Sequence, residues 1–305
     1  MESGCGFSNY DEEMANRALV AAKNADVVIF AGGHNSISVS GGEVGGEEQR
    51  SRVCDTAITS GEGYDTADTD ITKPQKRLVK ELSSIKKPLV FVLYGGKPTS
   101  ITEELPLCNA VLLAFGVGSD GNRAIADMLK GTVVPSGKLP FSMPRSVGHL
   151  PCYYNHKHMG KGTMFRKPGS YEQPGMDYVF DEPTALFDFG YGLSYTSFEY
   201  GNLSAEKTDE RACRVSVTVK NTGDYDAEES VLIFSRNMRT RVVTPMVKKL
   251  VAYKRVALKK GESREVVFNI DPERFSYIGE DMKSTPASGD IKIFAGGLET
   301  IFNID

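Results

Sequence analysis

Three continuous apolar runs, each closed by glycine, constrain this chain more than any other feature. Val27 to Ala31 ends at Gly32-Gly33, Leu89 to Tyr94 at Gly95-Gly96, and Ala110 to Phe115 at Gly116. Short runs that do not alternate with polar residues read as strands buried on both faces, the pattern of a parallel sheet. The segments between them have helical period. Glu12 to Ala25 places Met14, Ala18, Ala21, Ala22 and Ala25 on one face. Thr72 and Gln75 have capping-box spacing, Pro74 suits a first turn, and Leu78, Val79, Leu82 and Ile85 follow. Ser119 is placed to cap a third helix, Gly121 to Lys130, with Ile125, Met128 and Leu129 inward. Strand and helix alternating in this way predict a largely parallel sheet flanked by helices.

The period then changes. From about Cys152 to Phe187 the chain is rich in Tyr, His, Lys, Gly and Pro, with turn signals at Pro168-Gly169 and Pro174-Gly175. Tyr153, Tyr154, Tyr178 and Phe180 argue for an ordered linker or lid. Beyond it Val215, Val217 and Val219 alternate with polar residues, and Val231 to Phe234, Leu250 to Leu258, Val266 to Phe268 and Ile291 to Ala295 continue the series. Short strands separated by polar turns predict an antiparallel β-sandwich. The expected organisation is an α/β sandwich domain over 1–151, a linker or lid segment over 152–197, and a β-sandwich domain over 198–305.

Several functions are disfavoured. The chain has 36 basic and 40 acidic residues among 305, a net charge of −4, which is not a nucleic-acid footprint. No apolar run approaches the length of a membrane span. The first residues have neither the basic nor the apolar region of a signal peptide, and the compartment stays open. Five scattered cysteines offer no C-x-x-C pair, and Cys108 and Cys213 read as buried thiols. The turn Gly32-Gly33-His34 is not a dinucleotide fingerprint, Pro135-Ser136-Gly137-Lys138 is not a P-loop, and no nucleophile elbow is present. His156 and His158 lack a carboxylate at metal-ligand spacing, so no metal or cofactor is expected.

Two acidic, glycine-rich stretches remain, Gly41-Gly42-Glu43-Val44-Gly45-Gly46-Glu47-Glu48 and Gly61-Glu62-Gly63-Tyr64-Asp65. Glycine on both sides of a carboxylate lets a loop backbone approach a ligand closely. Tyr64 offers an apolar face suited to a sugar ring. A loop carboxyl becomes a general acid at neutral pH when burial raises its pKa.

These residues carry a resemblance. Gly61-Glu62-Gly63-Tyr64-Asp65, followed by Asp70-Ile71 and Gln75, is similar to the G-E-G-x-D-R…D-L-P…Q stretch of glycoside hydrolase family 3, the β-glucosidases and β-xylosidases. Gly121 to Pro144 resembles the family's A-I-A-D-x-L-x-G…P-S-G-K-L-P, and Leu186 to Phe198 its F-G-Y-G-L-S-Y-T-x-F string. Lys249 to Gly261, with the strands around it, resembles the family's fibronectin type III-like C-terminal domain. The resemblance covers nearly the whole chain.

It implies retaining hydrolysis of terminal β-linked sugars. That chemistry needs one carboxylate to attack the anomeric carbon and another to protonate the leaving oxygen. The family's aspartate nucleophile sits in an N-terminal barrel, which is expected to lie outside this chain. By position Glu62 is the acid/base, with Glu47 and Glu43 as rivals, because some members place the acid nearer the strand. Tyr64 and Asp65 are the candidate substrate-binding residues. The expected partners are a β-linked oligosaccharide or glycoside and a separate catalytic barrel chain. The alternative is an inactive carbohydrate-associated or interaction module derived from such an enzyme. Thr66 stands where the family often has Arg after Asp65, so an expected guanidinium partner is missing. Gly190, Tyr191, Gly192 and Tyr195 are expected to form a structural junction, and Pro135, Gly137, Leu139 and Pro140 to shape a strand entry.

Overall fold

A computed structural model describes residues 1–35, 59–61, 65–157, 181–209, 212–240 and 243–305. They form two compact units, one of residues 1–125 with 143–152, the other of residues 126–142 with 153–305.

The first unit contains α1 (Glu12–Lys23), β1 (Val28–Gly33), α2 (Lys73–Ser84), β2 (Leu89–Tyr94) and β3 (Ala110–Phe115). Its three strands are parallel in the order β1-β2-β3, with Val28 opposite Leu89 and Val90 opposite Ala110. Asp11 caps α1, its side chain accepting from Met14 N at 2.9 Å. The apolar stripe of α2 behaves as its spacing requires: Leu78, Val79 and Leu82 are buried. The helix α3 (Gly121–Leu129) follows β3 and buries Ile125.

One expectation for this sheet is corrected. β2, flanked on both sides, buries Leu89, Phe91, Val92 and Leu93. β1 does not share that environment: Val28 and Phe30 are buried, but Ile29 is 54% exposed. Among the described residues β1 has a strand neighbour on one side only. A continuous apolar run therefore marks a strand without saying that both faces are covered.

The second unit is built on two antiparallel sheets. One has the order β12-β11-β6-β7 and the other β4-β5-β8. The strands are β4 (Phe198–Asp209), β5 (Ala212–Asn221), β6 (Ala227–Asn237), β7 (Lys249–Leu258), β8 (Ser263–Ile270), β11 (Asp290–Ala295) and β12 (Leu298–Asn303), with a two-residue pair β9 (Tyr277–Ile278) and β10 (Ser284–Thr285). Alternation decides the core. Val215, Val217 and Val219 of β5 are fully buried, and they share one core with Val231 and Ile233 of β6, Phe268 of β8 and Ile291 and Ile293 of β11. Burying each such side chain contributes about 1.5–3 kcal/mol. Cys213 belongs to this core, whereas Cys108 in the first unit is only partly buried, and burial pushes its thiol up to about 11.

Candidate active-site loop

The carboxyl end of β1 is fixed by a single side chain. Gly33 N donates to Gln75 Oε1 at 2.6 Å, and Gln75 Nε2 donates back to Gly33 O at 2.9 Å. Gln75 is 4% exposed, so one amide satisfies both buried backbone groups at the strand end. The same Nε2 donates to Thr72 Oγ1 at 3.1 Å. Thr72 makes no cap bond to the helix backbone. The expected capping box is thus replaced: Gln75 turns toward the sheet because Gly33 offers it a buried pair. Gly33 itself must lack a side chain. Its φ is +132°, and a Cβ there would lie 1.9 Å from Tyr94 O.

The chain next to β1 builds the loop anchor. His34 N donates to Tyr94 O at 2.9 Å, and Asn35 N donates to Thr59 Oγ1 at 3.0 Å. Asn35 O accepts from Thr59 N at 3.1 Å and from Ser60 N at 3.2 Å. The backbone therefore returns to the carboxyl end of β1 at residues 59–60, one residue ahead of Gly61. That end of a parallel sheet is where open α/β folds gather their ligands. Glu62, Tyr64, Glu47 and Glu43 lie outside the described residues. Asp65 is described and is exposed.

Beyond Asp65 the chain is anchored again. Thr69 and Ser100 join through their hydroxyls at 2.7 Å and through Ser100 N to Thr69 O at 3.0 Å. Asp70 pairs with Lys76, which also faces Glu103 at 3.5 Å and Glu104 at 3.9 Å. Glu104 is 2% exposed, and burial pushes its carboxyl above the usual range. Asp70 and Gln75, chosen from the sequence for register, thus hold the two ends of the segment that leads from the loop into α2.

Two groups near this loop escaped the sequence reading. Lys97, on the turn after β2, directs its Nζ at Thr66 Oγ1 (3.5 Å) and Asp68 O (3.3 Å). Burial pulls the Lys97 ammonium below its usual range. His34 is 8% exposed and, among the described residues, neither ring nitrogen has a hydrogen-bond partner. Burial, reinforced by the Lys97 charge, lowers its pKa to about 4, so the ring is neutral at physiological pH. A lone Lys or His beside glycines gives no periodic signal, and only the fold brings 34, 66 and 97 together.

The Pro135–Pro140 string does not shape a strand entry as expected: residues 131–142 form no strand, and the string bonds instead to the Gly190–Gly192 string. Leu139 N donates to Tyr191 O and Gly190 N to Leu139 O, each at 2.8 Å. Lys138 Nζ donates to Gly192 O at 2.8 Å and lies 3.3 Å from Glu229 Oε2. Tyr200 Oη donates to Glu229 Oε1 at 2.9 Å. A Cβ on Gly192 would come within 2.4 Å of Gly137 O. Tyr195 Oη donates to Met128 O at 2.9 Å. In the linker, Tyr154 stacks on Phe189 at 4.3 Å, while Tyr178 and Phe180 lie outside the described residues. His156 is exposed and His158 also lies outside the described residues. No helix of the described residues is long and apolar enough to cross a membrane.

Residues 6–195 match the model of the glycosyl hydrolase family 3 C-terminal domain, and residues 229–298 match a fibronectin type III-like domain. The chain is 34% identical over 291 residues to the periplasmic beta-glucosidase of Salmonella typhimurium, covering 93% of this chain and 34% of that protein. It is 31% identical over 296 residues to a beta-xylosidase of Formosa agariphila, covering 96% and 36%. Its fold superposes on the beta-glucosidase of Listeria innocua in complex with gluconolactone with a TM-score of 0.77 at 28% identity, covering 98% of this chain and 39% of that one. The chain spans about a third of the length of the curated relatives it matches.

Proposed function

The chain belongs to glycoside hydrolase family 3, and from that premise we propose that it is the C-terminal part of a retaining β-glycosidase of β-glucosidase or β-xylosidase type, contributing Glu62 as the acid/base. Relatives named for both activities cover nearly all of it, which supports terminal β-linked sugars as the substrate class. In the first half-reaction Glu62 gives its proton to the glycosidic oxygen as a carboxylate from another part of the enzyme attacks the anomeric carbon. In the second half-reaction the Glu62 carboxylate takes a proton from the water that hydrolyses the glycosyl-enzyme. The nucleophile, and most of the sugar-binding groups, are supplied from outside these residues. Tyr64 lends a ring face to the sugar and Asp65 a hydrogen-bonding carboxylate.

The observation that carries this reading is the bonding of Asn35 to Thr59 and Ser60. It brings the chain to the carboxyl end of the sheet just before the Gly61–Asp65 stretch, where a loop carboxyl reaches a ligand. Asp70 and Gln75 anchor the exit in the register that favours Glu62 over Glu47 and Glu43.

The test is enzymatic. The 305-residue chain alone is expected to leave aryl β-glucosides and β-xylosides uncleaved. Supplying the family's barrel domain, linked or in trans, is expected to give turnover. Glu62→Ala then removes most of it, and azide restores part by attacking the glycosyl-enzyme in place of activated water. Azide rescue of Glu47→Ala or Glu43→Ala instead moves the acid/base to that residue. Turnover by the chain alone would require both carboxylates to lie within it.

A further inference from the structure

The parallel sheet of the first unit has an unused edge. Val28 N donates to Pro88 O at 2.8 Å and His34 N to Tyr94 O at 2.9 Å, so both ends of β1 turn these groups toward β2. Alternate residues of a parallel strand bond to the same neighbour, which gives Phe30 and Gly32 to β2 as well. Ile29, Ala31 and Gly33 therefore aim their N–H and C=O groups the other way. At Gly33 those groups end on the Gln75 amide. At Ile29 and Ala31 no strand answers them among the described residues.

A groove of about 830 Å³ runs beside this edge. Val27 to Gly32 form one side, and residues 1–7, α1 and α2 supply the rest of its lining. The α1 contribution is small and apolar. Ala22 goes into the core, while Ala18 and Ala25 are half-buried and Ala21 is exposed on the groove. Val27 is 50% exposed beside them. Small side chains let another backbone lie close to the strand.

The edge also lacks the devices that keep free strands apart. Exposed edges are ordinarily guarded by charge, proline or a bulge. The six residues of β1, VIFAGG, contain neither charge nor proline, and their pairing with β2 runs without a register shift. In the second unit the edge strand β7 carries Lys249, Lys254 and Arg255. A regular, uncharged edge facing an apolar groove is built to be covered.

A second copy fits it poorly. Two-fold pairing of β1 with β1 would press residues 1–7 of each copy, which line its own groove, against those of the other. This chain spans about a third of the length of its relatives, and the nucleophile of the proposed reaction comes from outside it. We propose that the groove takes an extended, apolar segment of that remainder, which joins the three-stranded sheet beside β1 through main-chain bonds to Ile29 and Ala31. Strand addition of this kind draws affinity from the backbone and specificity from alternate side chains. The inference rests on reading this chain as part of a longer glycosidase.

Hydrogen exchange resolved to single amides tests it. The 305-residue chain is compared alone and with the part of the Salmonella typhimurium enzyme that it does not match, added in trans and also linked to it. The Phe30 and Gly32 amides, bonded to β2, should be protected in every sample. Those of Ile29 and Ala31 should exchange fast in the chain alone and at least about tenfold more slowly with the added part. Ile29→Lys puts a charge on a side chain that is already exposed. It should leave the melting temperature of the chain alone unchanged, weaken association in trans by about tenfold or more, and lower the melting temperature of the linked protein. Val27→Lys gives the same readout should Ile29→Lys fail to fold. Ile29 and Ala31 amides left unprotected by the added part overturn the proposal. Protection in the chain alone that is lost on dilution assigns the edge to a second copy and overturns it too. Turnover with unprotected amides sinks this inference and keeps the glycosidase reading; protected amides without turnover do the reverse.

Discussion

His34 is the group whose burial should be felt most directly in the stability of the first unit. Its ring is 8% exposed, both nitrogens lack partners among the described residues, and the Lys97 ammonium opposes any positive charge on it. Its pKa in the folded chain is about 4, against 6.5 when the chain is unfolded. Between those two values the unfolded chain binds the extra proton, so stability is full above about pH 6.5 and falls as the pH is lowered toward 4. The whole difference corresponds to about 3 kcal/mol, and about 2 kcal/mol of it is lost between about pH 7.5 and pH 5. Urea unfolding of the chain and of His34→Gln at these two pH values isolates the effect. Other titrating groups are common to both proteins; Glu104, whose raised pKa acts in the opposite direction, is one of them. The parent should lose about 2 kcal/mol more than the variant on acidification. Equal losses, or a His34 ring proton that titrates near 6.5 in the NMR spectrum, would refute the reasoning.

Other substitutions test the anchors one by one. Gln75→Leu strands Gly33 N–H and C=O in a buried site, and should lower unfolding free energy by about 2–5 kcal/mol in urea titrations. Gly33→Ala drives a methyl into Tyr94 O at a φ no alanine adopts readily; it should cost at least about 3 kcal/mol or abolish soluble expression. Lys138→Met leaves the Glu229 carboxylate buried with Tyr200 as its remaining donor among the described residues, for a loss of about 3–5 kcal/mol. Adding Glu229→Leu to it should recover much of that loss in calorimetric melting, whereas an additive double variant would contradict a coupled pair.

The sequence revealed the fold where one hydrophobic period persisted. The Val215–Val217–Val219 alternation gave β5 and its buried face, and the α2 stripe gave Leu78, Val79 and Leu82. It misjudged β1, because a run of five apolar residues is the same string whether a sheet face is covered or open, and Ile29 is 54% exposed. It also missed β4 and β12. β4 alternates weakly through Gly201, Asn202 and Ser204, and of the three apolar side chains of β12 (LETIFN) Phe302 is buried, Leu298 partly buried and Ile301 exposed. The candidate loop was readable only through its resemblance, since glycines and acids in loops carry no period. His34 and Lys97 are separated by more than sixty residues, and parallel pairing of β1 with β2 makes them neighbours.

That neighbourhood bears on how a general acid can work from this loop. A carboxyl that must hold a proton near neutral pH needs burial to raise its pKa and few cations close by. A guanidinium at residue 66 would be charged at every accessible pH, and fixed in the loop itself. Thr66 replaces it with a neutral hydroxyl, and the cation comes instead from Lys97, on a flexible stem and with its own charge weakened by burial. His34, buried beside Lys97, stays neutral down to about pH 4. The electrostatic load on the loop is therefore lighter than a fixed guanidinium would give. In the complete enzyme, Lys97→Met should raise the pKa of the acid/base and shift the alkaline limb of the kcat/KM profile upward. Thr66→Arg should shift that limb downward. Limbs unmoved by either change would place the acid beyond the reach of Lys97 and Thr66.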